Sequence, residues 1–119
     1  MLLRVYVHTE EEFDQWVTQQ KMKSVVEAQV AAGRQVFERT ACVNCHAVDG
    51  TIGDGRFGPD LTHLMSRDTI ASGALKNSRD NIRAWVKDPD KFKPGVLMPA
   101  MGLSDTELDQ LADYLASLK

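Results

Sequence analysis

Cys42-Val43-Asn44-Cys45-His46 holds both cysteines of the chain and one of its three histidines within five consecutive residues. On its N-terminal side, Ser24 and Glu27 stand at capping-box spacing ahead of Val25, Val26, Ala28, Val30, Ala31, Val36 and Phe37. That pattern predicts a helix that stops near Thr40, just before the first cysteine. On its C-terminal side the periodicity vanishes: residues 43–78 carry glycines at 50, 53, 55, 58 and 73 together with Pro59. This stretch reads as loop, with a helical turn over residues 60–65. A loop of that length in so short a chain is expected to wrap something.

The C-x-x-C-H spacing is the attachment pattern of c-type haem. Two thiols three positions apart reach two vinyl groups on one porphyrin edge, and the adjacent imidazole comes to lie under the iron. Three other readings compete. A structural zinc site wants four ligands, and the remaining His8 and His63 stand at no finger spacing. A thioredoxin-like pair belongs at the end of a strand in a βαβ setting, whereas Cys42 follows a helix and precedes loop. A disulfide, or two buried thiols, leaves the histidine and the glycine-rich loop without a purpose.

Further out, residues 2–8 alternate, with Leu3, Val5 and Val7 on one side, as in a half-buried strand. Thr9 with Glu12 forms a capping box and predicts a short helix over residues 10–20, with Phe13, Trp16 and Val17 on one face. Ser78 caps a helix through Ile82, Trp85 and Val86 that Pro89 ends, and residues 91–102 are again loop. Ser104 with Glu107 opens a last helix in which Leu108, Leu111, Ala112, Leu115 and Leu118 recur at helical spacing. The expected architecture is mainly α, three to five helices, with the strand and short helix as an N-terminal extension.

Composition narrows the function classes. With 119 residues and 43% hydrophobic content, the chain suffices for one core. The net charge of -3 lacks the basic excess that nucleic-acid binding needs. The longest run free of Asp, Glu, Lys and Arg is residues 94–104, too short and too rich in proline and glycine to span a bilayer. The first residues carry no apolar signal-peptide core. Eight aromatic residues are few for a core of this size, which leaves room for a large apolar cofactor.

If iron is held, its sixth position decides between electron transfer and small-molecule chemistry, because a Met or His there closes the site. Met98 lies between Pro94 and Pro99, in a segment whose backbone the prolines stiffen. It is the expected ligand opposite His46, with Met101, Met65 and His63 as rivals.

These residues resemble class I cytochromes c over about residues 25–119: a first helix with Gly33 and Phe37, C-x-x-C-H, Gly58-Pro59-Asp60-Leu61, Asn81-Ile82-x-x-Trp85, Pro94-Gly95-x-x-Met98 and a terminal helix. The resemblance implies that fold, wrapped around one haem c bound covalently through Cys42 and Cys45. It implies His46 and Met98 as iron ligands and a hydrogen bond from His46 to the Pro59 carbonyl. It places Arg67 near a haem propionate and Trp85 near the Met ligand. Gly33 and Phe37 are expected to let the first helix pack closely on the last.

Residues 1–24, a strand followed by Glu11-Glu12-Phe13-x-x-Trp16, resemble the end of the copper domain in subunit II of haem-copper oxygen reductases of the caa type. Met1 stands either at the position of a copper-ligating Met or as an initiator. The likeness implies a one-electron carrier that takes an electron from an external donor, a small redox protein, and passes it to the copper centre of a terminal oxidase. It is no enzyme by itself but part of a cytochrome c oxidase. The implied partners are the copper domain of the same subunit and the oxidase core, with no nucleic acid. The implied place is the periplasm or outer face of a bacterial cytoplasmic membrane, reached only through upstream segments not in this sequence. A free-standing periplasmic monohaem shuttle is the alternative, and an open-site haem enzyme or gas sensor a more distant one. Residues 76–93 carry net +3 and the last helix net -3. The exposed edge beside Val43, Ala100 and Met101 is therefore expected to be the electron port, rimmed by part of that basic set.

Overall fold

The computed structural model describes residues 5–23 and 28–119. Helix α1 spans Glu10–Gln20, and its Thr9 capping box is present: Thr9 Oγ1 accepts from Glu12 N at 3.3 Å, and Thr9 N donates to Glu12 Oε2 at 2.9 Å. Glu10, Glu11 and Glu12 complement the helix dipole in its first turn. No residue of α1 is buried; Phe13 and Trp16 stack at 5.8 Å on an exposed face. Over residues 5–8 the strand expectation is corrected: they form no strand and pair with none of the described residues. Alternation specifies a strand only where a neighbouring edge takes up its backbone groups, and Val5 and Val7 stay exposed. Residues 2–4 of that strand, Met1 and the Ser24/Glu27 cap lie outside the described residues.

A 3₁₀ turn, Ala28–Val30, leads into α2, Ala31–Arg39, which buries Gly33, Val36 and Phe37. Its partner is the terminal helix, labelled α6 below, Asp105–Ala116, whose inner face is Leu108, Leu111, Ala112, Tyr114 and Leu115. The two backbones approach so closely at Gly33 that a Cβ there would run into Gln110 O and lie 2.6 Å from Tyr114 Cβ. Phe37 and Tyr114 meet at a centroid distance of 6.0 Å. Helix α6 starts on a capping box, with Ser104 Oγ accepting from Glu107 N and Ser104 N donating to Glu107 Oε2 at 2.9 Å.

Between them come α3, Cys42–Cys45, a 3₁₀ turn at Leu64–Ser66, and a small hairpin of β1, Thr69–Ile70, with β2, Leu75–Lys76. The expected turn over residues 60–65 thus sits slightly later. The hairpin falls where loop was expected, because two-residue strands leave no periodic signal. Its register pairs Thr69 with Lys76 and Ile70 with Leu75. Helix α4, Arg79–Lys87, is capped by Ser78 and buries Ile82 and Val86. Pro89 ends it but also opens one more turn, α5, Pro89–Phe92, capped by the Asp88 side chain. Proline at a first helical position loses no hydrogen bond, so the same residue stops one helix and starts the next.

Helix α4 is laced to α6 by an ion-pair ladder with four-residue spacing on both sides. Arg79 reaches Asp113 at 2.8 Å and Asp109 at 2.9 Å; Arg83 reaches Asp109 at 2.8 Å and Asp105 at 2.9 Å; Lys87 reaches Asp105 at 3.1 Å. These hydrogen bonds hold the carboxyls of Asp105 and Asp109 below their ordinary range. Three members of the expected basic set, Arg79, Arg83 and Lys87, thus face the acids of α6.

Candidate functional site

One helical turn carries the motif. In α3 the residues at positions 42 and 45 are three apart, which sets their side chains on one side of the turn. Both thiols are free and half-buried. Burial pushes the Cys42 thiol up, against the effect of the Thr40 hydroxyl, which lies 3.1 Å from Cys42 Sγ and donates to Val36 O at 2.8 Å. The turn closes with His46 N donating to Cys42 O at 2.9 Å.

At His46 the backbone becomes extended and swings the ring toward Gly58 and Pro59. Its Nδ1 lies 2.7 Å from Pro59 O. A carbonyl only accepts, so Nδ1 carries the proton and the neutral ring keeps its lone pair on Nε2. Gly58 is the floor of this cradle: a Cβ there would lie 2.5 Å from His46 Cε1, and Gly58 N donates to Cys45 O at 2.7 Å. Gly55 packs equally tightly on the turn itself, a Cβ there falling 2.6 Å from Cys45 N. What the glycine-rich loop wraps, in the protein alone, is the motif. Chain contact this close excludes any side chain, and this is the reason for glycine at both positions.

Arg67 is exposed, and its guanidinium donates to the carbonyl of Asp60, the residue after Pro59. The Asp60 carboxylate in turn accepts from Thr62 N at 2.8 Å and Thr62 Oγ1 at 2.6 Å. Arg67 therefore braces the segment that orients His46. Asn77 belongs to the same bracing, donating through Nδ2 to Leu64 O at 2.8 Å and Arg67 O at 2.9 Å. Neither Asn77 nor Thr40 stands in any motif, and no sequence signal marks them.

Met98 is half-buried and presented by a turn in which Gly95 has φ +78 and donates its N–H to Asp90 Oδ1 at 2.8 Å. From α4, Trp85 Nε1–H donates to Met98 Sδ at 3.2 Å. A thioether sulfur has two lone pairs, so one is left. His63, the rival nitrogen, is held by Lys119 O at 2.8 Å through Nδ1, and Met65 sits half-buried on the 3₁₀ turn.

Cys42, Val43, Leu61, Met65, Leu75, Trp85, Met98 and Leu103 pack against the core while remaining partly exposed. Among the described residues no group of three or more His, Cys, Asp or Glu is placed to hold a metal ion. Two thiols on one turn, the His46 imidazole with its tautomer fixed, and the Met98 thioether fit a covalently attached porphyrin iron.

Residues 30–119 match the family described as Cytochrome c, and the chain belongs to that family, whose members carry covalent haem c. The fold is accordingly that of class I cytochromes c. Among individual proteins, the chain is 39% identical over 112 residues to cytochrome c oxidase subunit 2 of Alkalihalophilus pseudofirmus, covering 92% of this chain and 32% of that protein. It is 35% identical over 126 residues to cytochrome c oxidase subunit 2 of Bacillus subtilis, covering 100% of this chain and 35% of that one. A nitric oxide reductase subunit of Stutzerimonas stutzeri is 27% identical over 117 residues, covering 97% of this chain and 73% of that protein. The chain thus spans about a third of the length of the oxidase subunits it matches.

Proposed function

We propose that this domain is a one-electron carrier, with one haem c bonded through Cys42 and Cys45, His46 Nε2 and Met98 Sδ as iron ligands, and the copper centre of a terminal oxygen reductase as acceptor. The observation that carries the reading is the His46 cradle: the Pro59 carbonyl and the Gly58 surface leave Nε2 as the unprotonated nitrogen of that ring. The attached group supplies an iron that changes charge by one electron without making or breaking a bond. The protein's part is to fix the ligands. Pro59 makes the imidazole a stronger donor, Arg67 and Asn77 hold the Pro59 segment, and Trp85 orients the Met98 sulfur. A Met/His pair raises the potential, which suits delivery toward oxygen, and a closed sixth position excludes small molecules.

The oxidase relatives support the acceptor, since each is named cytochrome c oxidase subunit 2. On this reading residues 1–24 are the end of a preceding copper domain plus a linker. The domain works at the outer face of a bacterial cytoplasmic membrane, held there by segments beyond these residues. No helix among the described residues is long and apolar enough to cross a membrane.

An absorption spectrum and a carbon monoxide titration test the proposal. The purified protein is expected to show a c-type spectrum with a methionine-to-iron charge-transfer band and to bind carbon monoxide poorly when reduced. Met98→Ala is expected to abolish the band and open the site. Persistence of the band in that variant assigns the ligand to another methionine.

A further inference from the structure

Beyond its last pair, Ile70 with Leu75, the β1–β2 hairpin reverses through Ala71, Ser72, Gly73 and Ala74. Three consecutive residues of that tip have left-handed backbone: Ala71 at φ +55, Ser72 at φ +59 and Gly73 at φ +93. Glycine takes such angles freely, whereas in alanine and serine the Cβ crowds the following carbonyl. Elsewhere among the described residues every positive φ falls on a glycine. Within the tip, Ala74 N–H reaches Ala71 O only at 3.4 Å, a long bond that does little to hold the strain.

Lys93 meets the tip from outside, its Nζ donating to Ser72 Oγ at 3.3 Å. Lys93 also closes α5, with its N–H bonded to Pro89 O at 3.1 Å, and its carbonyl accepts from Val96 N at 3.1 Å to open the turn that presents Met98. Tip and methionine turn thus meet at one residue. The base of the hairpin is fixed: Ile70 is buried, Leu75 packs against the core, and Asn77 N donates to Asp68 O at 2.9 Å. Relaxation of the strain therefore falls to the tip and to its contact with Lys93.

We propose that residues 71–73 are a strained latch on the Met98 turn, and that the latch sets how readily the sixth position of the iron exchanges. Engaged, the left-handed tip holds Lys93 and with it the start of the turn. Released, Ala71 and Ser72 return to ordinary backbone angles, the Ser72 hydroxyl leaves Lys93, and the turn lets Met98 go. The proposal rests on Met98 as the iron ligand. A strained closed state lies nearer in free energy to its open one, so the tip tunes opening without touching the sulfur. No electron or proton moves in the exchange: the sulfur leaves with its lone pair, and the entering ligand brings its own.

The test uses the oxidised, haem-loaded protein with saturating imidazole as the entering ligand. Loss of the methionine-to-iron charge-transfer band gives the rate, and hydrogen exchange of the Gly95 and Val96 amides reports opening of the turn itself. Ala71→Gly removes strain and leaves the Ser72 hydroxyl in place; it is expected to slow the reaction roughly fivefold. Gly73→Ala adds strain without a clash, since a Cβ there meets no atom within 4 Å, and is expected to speed it by about the same factor. Ser72→Ala keeps the Cβ and breaks the tie; it is expected to speed the reaction about threefold and to erase the effect of Ala71→Gly in the double variant. The two amides are expected to follow the same order. Equal rates in the parent and the single variants overturn the latch. So does an Ala71→Gly effect that persists undiminished without the Ser72 hydroxyl, which makes the strain a matter of overall stability. A parent protein without the charge-transfer band, or one whose band survives Met98→Ala, overturns the ligand assignment beneath it.

Discussion

The indole Nε1–H of Trp85 donates a hydrogen bond to Sδ of Met98 across 3.2 Å, joining α4 to the turn that presents the sulfur. Such a bond draws electron density from the thioether, making it a weaker donor to an oxidised metal. Trp85→Phe keeps the ring and removes the donor. With Met98 as ligand it is expected to lower the reduction potential by roughly 30 mV, about threefold in the equilibrium with a redox partner. Voltammetry reads this directly, and an unchanged potential with an intact charge-transfer band makes Trp85 packing only.

Gly58→Ala tests the His46 cradle. The added methyl would lie 2.5 Å from Cε1 and 2.7 Å from Nδ1 of the ring, so either the imidazole or the Gly58 segment moves. The Pro59 hydrogen bond is expected to weaken, with a stability loss of about 1–3 kcal/mol. Nitrogen NMR of the His46 Nδ1–H and urea denaturation measure the two effects; a variant with both signals unchanged means that Gly58 does not hold the ring.

Gly33→Ala separates helix propensity from packing. Alanine favours an isolated helix by about 1 kcal/mol over glycine. Here its Cβ would collide with Gln110 O, and backbone cannot rotate aside as a side chain does. Overpacking is expected to win, with a net loss of about 2 kcal/mol or more. A chemical denaturation midpoint equal to or above that of the parent contradicts the close α2–α6 contact.

The α4–α6 ladder predicts a pH dependence. Asp105 and Asp109 titrate below their ordinary range because Lys87, Arg83 and Arg79 hydrogen-bond their charged forms. Depressed folded-state values mean that the contribution is complete above the unfolded carboxylate pKa of about 3.9 and fades as pH falls through the folded ones. Arg83→Gln, which removes the shared rung, is expected to flatten this acid limb and to weaken the salt dependence of stability. Exposed pairs contribute little singly, so parallel limbs in the two proteins would mean that the ladder adds nothing.

Much of this was legible because it is local. Capping at Thr9, Ser78 and Ser104 depends on residues three apart, and the cysteine spacing encodes its own single turn. The alternating residues 5–8 misled for the converse reason: a strand is defined by its neighbour, and none of the described residues supplies one. The β1–β2 hairpin and the restart of helix at Pro89 were hidden because two- and four-residue elements are too short for periodicity.

By itself the sequence determined the mainly helical class, the cysteine pair with its histidine, and Met98 as the methionine on a stiffened segment, since each follows from residue type and short spacing. Which ring nitrogen of His46 is free was expected only from the resemblance; physically it is set by tertiary structure, because Pro59 approaches from thirteen residues away. Tertiary structure also decided where the charges of α4 go. Composition counts Arg79, Arg83 and Lys87 as a basic patch; packing α4 against α6 turns them into partners of Asp105, Asp109 and Asp113. Pairing of charges far apart in the chain depends on how helices cross, and no local pattern carries that.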